Sequence, residues 1–133
     1  MRIAVSLGLA LIGGGAAFAE PEALTGEASD KAVTGRTFHY RAGPSSFGTE
    51  QYLPGRRVVW AYTGDDCVKG IWYPEGGDIC FLYEGQEEPV CWSFAETDAG
   101  LVARSLGNPD LPPLTGRQTL PDALACLGPD VGV

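Results

Sequence analysis

Few residues in this chain have the type and spacing to do chemistry. His39 is the single histidine of 133 residues. As a general base it would need a nucleophile such as Ser45 or Ser46 beside it and a carboxylate behind it. Gly43-Pro44-Ser45-Ser46-Phe47 does not make the G-x-S-x-G turn that exposes a nucleophilic serine. A lone histidine on the polar side of a strand is ordinarily solvated, so no catalytic residue is assigned. Asp65-Asp66 and Glu84, Glu87 and Glu88 fall in two turns. Carboxylates on adjacent turns can hold Ca²⁺, but neither EF-hand nor nonapeptide spacing is present, and acidic hairpin tips are ordinarily solvated turns. A pair such as Asp65 and Glu88 would serve a hydrolase only at a defined separation across a cleft. Arg56-Arg57 is a basic doublet in an acidic chain. It could grip an anion, or one arginine could pair with a carboxylate at a sheet rim, a weak interaction when exposed. The candidate binding residues are therefore Arg56, Arg57, Asp65 and Asp66.

The four cysteines, Cys67, Cys80, Cys91 and Cys126, contain no C-x-x-C, and His39 is far from them in sequence. That argues against zinc and for two disulfides. No metal and no cofactor is expected.

The elements that must position these residues centre on residues 56–94, which hold all three tryptophans, three of the cysteines and most of the period-2 alternation. Val58, Trp60 and Tyr62 alternate with Arg57, Val59 and Ala61, and further strands follow over 67–73, 78–83 and 89–94. Centring the last turn between Gly85 and Gln86 sets Cys80 opposite Cys91, Ile79 opposite Trp92 and Phe81 opposite Val90. A one-residue slip would undo both the cysteine pair and the apolar face. Centring the preceding turn between Glu75 and Gly76 sets Trp72 opposite Ile79, giving a row Trp72–Ile79–Trp92, and Gly70 opposite Phe81. Cys67 then lies roughly 13 Å along its strand from the point facing Cys80, too far to bridge. The expected pairs are Cys80–Cys91 and Cys67–Cys126, contributing about 3 and about 4 kcal/mol by loop entropy.

Upstream, Thr25 caps a short helix over 26–33 that Gly35 ends, with little apolar surface for docking. Strands follow over 36–41, with Phe38 and Tyr40 on one face, and over 48–53, with Tyr52 as anchor. Downstream comes a strand over 100–106, a Pro-rich irregular stretch, and a short helix over about 121–127. By parity Cys67, Ile71, Cys80, Leu82 and Cys91 point away from the tryptophan face. The tail, pinned by Cys126, is expected to cover them through Leu120, Leu124 and Leu127; left bare, that face would be a partner surface. The fold class is all-β: a small antiparallel meander or barrel of about seven strands with a short helix at each end. Trp60, Trp72, Trp92, Phe81 and Tyr83 are expected to be its core rather than the lining of a ligand cavity.

Met1–Arg2, the apolar run over 3–11 and Ala17-Phe18-Ala19 read as a signal peptide cleaved before Glu20. The domain plan is a leader over 1–19 and one disulfide-linked domain over 20–133: a helical lead-in over 20–35, a meander over 36–106 and a tail over 107–133. The compartment is then periplasmic or secreted, with no membrane span after cleavage. A formal net charge of −8 argues against nucleic acid and anionic lipid; it is compatible with a cationic partner, and solubility alone explains it equally well.

The chain also resembles a group of small exported proteobacterial proteins of unknown function. The resemblance rests on Leu24-Thr25-Gly26, Gly35-Arg36-Thr37-Phe38, Gly70-Ile71-Trp72 and Ile79-Cys80-Phe81-Leu82-Tyr83 followed by Cys91-Trp92. It covers roughly residues 24–94 and implies a lipocalin-like barrel and export; it carries no catalytic or binding residue. Together these readings lead us to expect a monomeric, non-enzymatic binding protein of the cell envelope with a protein partner. One concrete form is inhibition of a basic, lysozyme-type enzyme. The alternatives are a carrier of a small apolar ligand and an accessory subunit of an envelope complex.

Overall fold

The computed structural model describes residues 13–14, 21–124 and 126. The proposed leader lies outside them apart from Gly13 and Gly14. Eight antiparallel strands follow one another around a closed barrel: β1 (Thr37–Ala42), β2 (Ser45–Leu53), β3 (Arg57–Tyr62), β4 (Val68–Glu75), β5 (Asp78–Tyr83), β6 (Val90–Thr97), β7 (Gly100–Ser105) and β8 (Leu114–Thr119). The last strand pairs with the first, Thr119 opposite Thr37, so no edge is left open. Each strand sends alternate residues inward. Phe38, Tyr40, Tyr52, Val58, Trp60, Trp72, Ile79, Phe81, Tyr83, Phe94, Leu101 and Leu114 fill the interior.

Helix α1 (Gly26–Val33) seals one end. Thr25 Oγ1 accepts from the Ala28 N–H at 3.1 Å, the expected N-cap. Ala32 and Val33 are buried in the barrel core, and the Leu24 N–H bonds to the Phe94 carbonyl at 2.7 Å. Asp30 on the outer face of the helix pairs with Arg56 Nη2 at 2.7 Å, an exposed contact. The Arg56 guanidinium in turn lies 4.8 Å from the centre of the Trp72 ring. Arg56 takes a left-handed conformation, φ 56°, just before β3.

Both disulfides form as expected, with Cα separations of 4.0 Å for Cys80–Cys91 and 5.5 Å for Cys67–Cys126. The β5–β6 register is the expected one. The β4–β5 register is displaced by two residues: Trp72 faces Phe81, Pro74 faces Ile79, and the turn is Gly76-Gly77. The inward set is unchanged because the shift is even, but the Trp72–Ile79–Trp92 row does not form. Pro74 can lie within β4 because the β3 ladder stops at Arg57–Ile71, so no β3 carbonyl needs its missing N–H. Gly70 consequently faces Tyr83, not Phe81, and it is the Tyr83 ring that lies over its backbone.

Two further expectations need correction. The Pro-rich tail contains β8, whose inward residues Leu114 and Gly116 make a faint alternation; the prolines at 109, 112 and 113 all precede it. The expected C-terminal helix is a single 3₁₀ turn, Pro121–Ala123, with no side-chain cap, and Leu120 is 70 % exposed. Leu127 lies outside the described residues. The tail also crosses a different wall. Leu124 is buried beside a groove lined by His39, Thr49 and Ala61 on β1–β3, while Ile71 on β4 remains 48 % exposed. From the end of β8 the direct path to Cys67 runs over β1, β2 and β3, which fixes that route.

Candidate binding site at the open barrel mouth

The barrel end opposite α1 carries the connections over 43–44, 63–67, 84–89 and 106–113. Here three aromatic residues, Phe47, Tyr62 and Trp92, are only partly covered. A bulge in β2 pairs Tyr40 with Gly48 but Arg41 with Ser46, leaving Phe47 as the extra residue. That bulge brings Phe47 into the mouth. Its ring sits 5.5 Å from Tyr62, edge to face, and 5.9 Å from Trp60. Val90 and Trp92 of β6 line the same mouth. Two small residues position the rings: a Cβ at Gly48 would come within 2.5 Å of Trp60, and one at Gly116 would collide with Tyr40. Each ring therefore lies flat over a neighbouring strand.

Below the rings sits Glu50, 1 % exposed. It lies on β2 between Phe38 and Trp60 in register, so its side chain points inward. Both carboxyl oxygens receive the Tyr83 hydroxyl, at 2.9 and 3.1 Å. Beside it the Tyr40 and Tyr52 hydroxyls bond to each other at 2.7 Å. Burial raises the Glu50 pKa well above its ordinary 4.5; the Tyr83 hydrogen bond only partly opposes this. The three tyrosines are likewise raised by burial. The cavity joining Glu50 to the mouth has a volume of about 50 Å³. That space admits a head group, against the several hundred Å³ of a site enclosing a whole small molecule.

Outside the mouth, Asp65, Asp66, Glu84, Glu87, Glu88 and Asp110 occupy these connections, all exposed, with no Lys or Arg among them. Asp65 and Asp66 thus sit at the rim, whereas Arg56 and Arg57 lie at the opposite end. Arg56 is paired with Asp30, and Arg57 Nε donates to the Pro54 carbonyl at 3.0 Å. The four candidate residues are not one site. Nor do the rim carboxylates converge on a cation. The single close grouping of three potential ligands among the described residues is Glu75, Cys80 and Cys91, whose sulfurs are bonded to each other.

On the outer wall, His39 Nε2 lies 3.0 Å from Ser46 Oγ, which is 2.6 Å from Thr63 Oγ1. His39 Nδ1 is 3.0 Å from Thr49 Oγ1. The nucleophile–base distance is met, but the orienting group is a hydroxyl in place of a carboxylate. Glu50 escaped the sequence reading altogether. The signal was available: Gly48, Glu50 and Tyr52 share parity, so anchoring β2 by Tyr52 necessarily turned Glu50 inward.

No family model matches the chain, and no curated protein or solved structure matches it either. The antiparallel barrel implied by the resemblance is present. Among the described residues no helix is long and apolar enough to cross a membrane.

Proposed function

We propose that this is an exported, non-enzymatic binding protein of the cell envelope that takes a cationic partner at the open mouth of its barrel. The observation that carries the reading is the mouth itself: six exposed carboxylates, no basic residue in the same connections, and an aromatic opening over a buried carboxyl. A rim this rich in carboxylates, with Arg41 reaching it at the Pro44 carbonyl, speeds encounter with an oppositely charged protein and is screened by salt. The two disulfides suit an oxidising compartment. Kinship with the exported proteobacterial group remains part of this proposal. So does the concrete form in which the partner is a basic, lysozyme-type enzyme; absence of inhibition at low salt ends that form. The general reading is tested by surface plasmon resonance against basic proteins, comparing wild type with a variant in which Asp65, Asp66, Glu84, Glu87 and Glu88 are amidated. A fall of tenfold or more in association rate at low salt supports it, and equal rates overturn it. Carriage of a bulky apolar ligand would require the 50 Å³ interior to expand severalfold.

A second reading, hydrolysis by Ser46 with His39 as base, is supported by their 3.0 Å contact. Covalent labelling of the protein by a fluorophosphonate, lost in Ser46→Ala, would establish it over the non-enzymatic reading.

A further inference from the structure

We propose that the mouth is a receptor for one primary ammonium group on an unbranched alkyl stem, with Glu50 as its counter-ion. This rests on the binding reading above and names the chemistry of what enters. The cavity is small, about 50 Å³, and its lining includes Phe47, Tyr62, Trp92 and the Glu50 carboxyl. A slim alkyl stem fits between aromatic faces, and those faces attract a cation through their quadrupoles. At the base, Glu50 accepts from a single hydroxyl, Tyr83, although a carboxylate offers about four lone-pair positions. An ammonium carries three donors, so its head can meet Glu50 and the paired Tyr40 and Tyr52 oxygens together. A neutral head group would meet the same hydroxyls but gain no ion pair with Glu50, and an anionic one would be repelled by the rim carboxylates.

The proton balance follows from what faces Glu50. The titratable groups against it are Tyr40 from β1, Tyr52 from β2 and Tyr83 from β5, all neutral hydroxyls. No basic side chain among the described residues pairs with it. Burial therefore favours the protonated form of Glu50 when the mouth is empty. When the ammonium enters, the Glu50 O–H proton leaves to solvent, the carboxylate pairs with the cation, and the pocket's net charge is unchanged. Binding releases one proton and tightens as pH rises, until Glu50 is ionised without ligand or the amine itself loses its proton.

The test is titration of the full chain with n-butylammonium, followed by tryptophan fluorescence and by calorimetry in buffers of different ionisation heat. Expected results are release of close to one proton, a Kd falling up to tenfold per pH unit where Glu50 is protonated, and at least a tenfold loss of affinity in Glu50→Gln with the pH slope gone. Near-UV circular dichroism checks that this variant is folded, and Tyr83→Phe should change affinity in the same direction. Butanol binding as tightly as butylammonium, or Glu50→Gln binding unchanged, overturns the inference. A lysine-containing peptide compared with the free amine shows whether the stem comes from a protein side chain or a small molecule; either source supports the site. If a basic protein binds wild type and Glu50→Gln equally while n-butylammonium binds neither, the inference fails and the binding reading stands.

Discussion

Trp72 and Trp92 lie on inward positions of the same barrel, at opposite ends, and their surroundings differ in kind. Trp72 is 2 % exposed, with α1 packed over its end of the barrel and the Arg56 guanidinium on its face. Trp92 is only partly buried, among rings that nothing in the described chain covers. At the sealed end each ring has protein on both faces, and its contacts serve stability. At the open end Phe47, Tyr62 and Trp92 are incompletely covered and a carboxyl lies beneath them, and their contacts leave room for something else. A barrel needs both ends covered to be merely a packed core; here one end is finished and the other is not.

Substitutions can break this contrast or sharpen it. The largest expected effect is Trp72→Ala, which removes a fully buried ring and should lower unfolding free energy by about 3–5 kcal/mol in urea titration. Amine binding by the remaining folded protein should be unchanged. Next, Tyr83→Phe removes the described donor to Glu50 and should lower stability by about 1–3 kcal/mol. Tyr62→Ala takes away an exposed rim ring and should lower stability by only about 1 kcal/mol, judged from its edge-to-face contacts with Trp60 and Phe47, while weakening ligand binding markedly. If Tyr62→Ala destabilises as much as Trp72→Ala, the two ends are not different. Glu50→Gln is distinguished by its pH dependence. Below pH 4.5 Glu50 is protonated whether folded or not. As pH rises the unfolded chain loses that proton first, so wild type loses stability until Glu50 ionises in the barrel. The variant lacks this slope and should be the more stable form at pH 8, with the two nearly equal at pH 4. Smallest of all, Asp30→Ala should shift the urea midpoint slightly downward through the exposed Arg56 pair.

Much of the sealed end and of the β5–β6 hairpin was legible in the sequence, because their signals are local. Thr25, Glu27 and Gly35 mark the helix, and strict alternation with two cysteines fixes β5 against β6. The even error in β4 came from reading Pro74 as a turn residue, a rule that fails where a strand outruns its neighbour. The open end was less legible. Phe47 enters the mouth only because a bulge reverses its parity, and no residue type announces that bulge. Glu50 was hidden by the habit of scoring a glutamate in an alternating strand as solvent-facing. β8 was hidden by its neighbours: three prolines stand just before a strand whose pairing partners are the first strand and β7. Closure of a ring is a property of the whole chain, and no window of ten residues contains it.

That closure also orders events in time. The first strand finds its second partner only in Thr119 and the residues before it, and Cys67 finds its partner in Cys126. A chain delivered N-terminus first therefore cannot finish its barrel, or seat α1 against a completed wall, until almost its whole length has arrived. The long sequence separation of these contacts makes folding slow relative to a helical protein of the same size. It also makes C-terminal truncation before Leu114 a different lesion from loss of a tail: the shortened chain would keep seven strands and expose two unpaired edges, the usual starting point for association between chains.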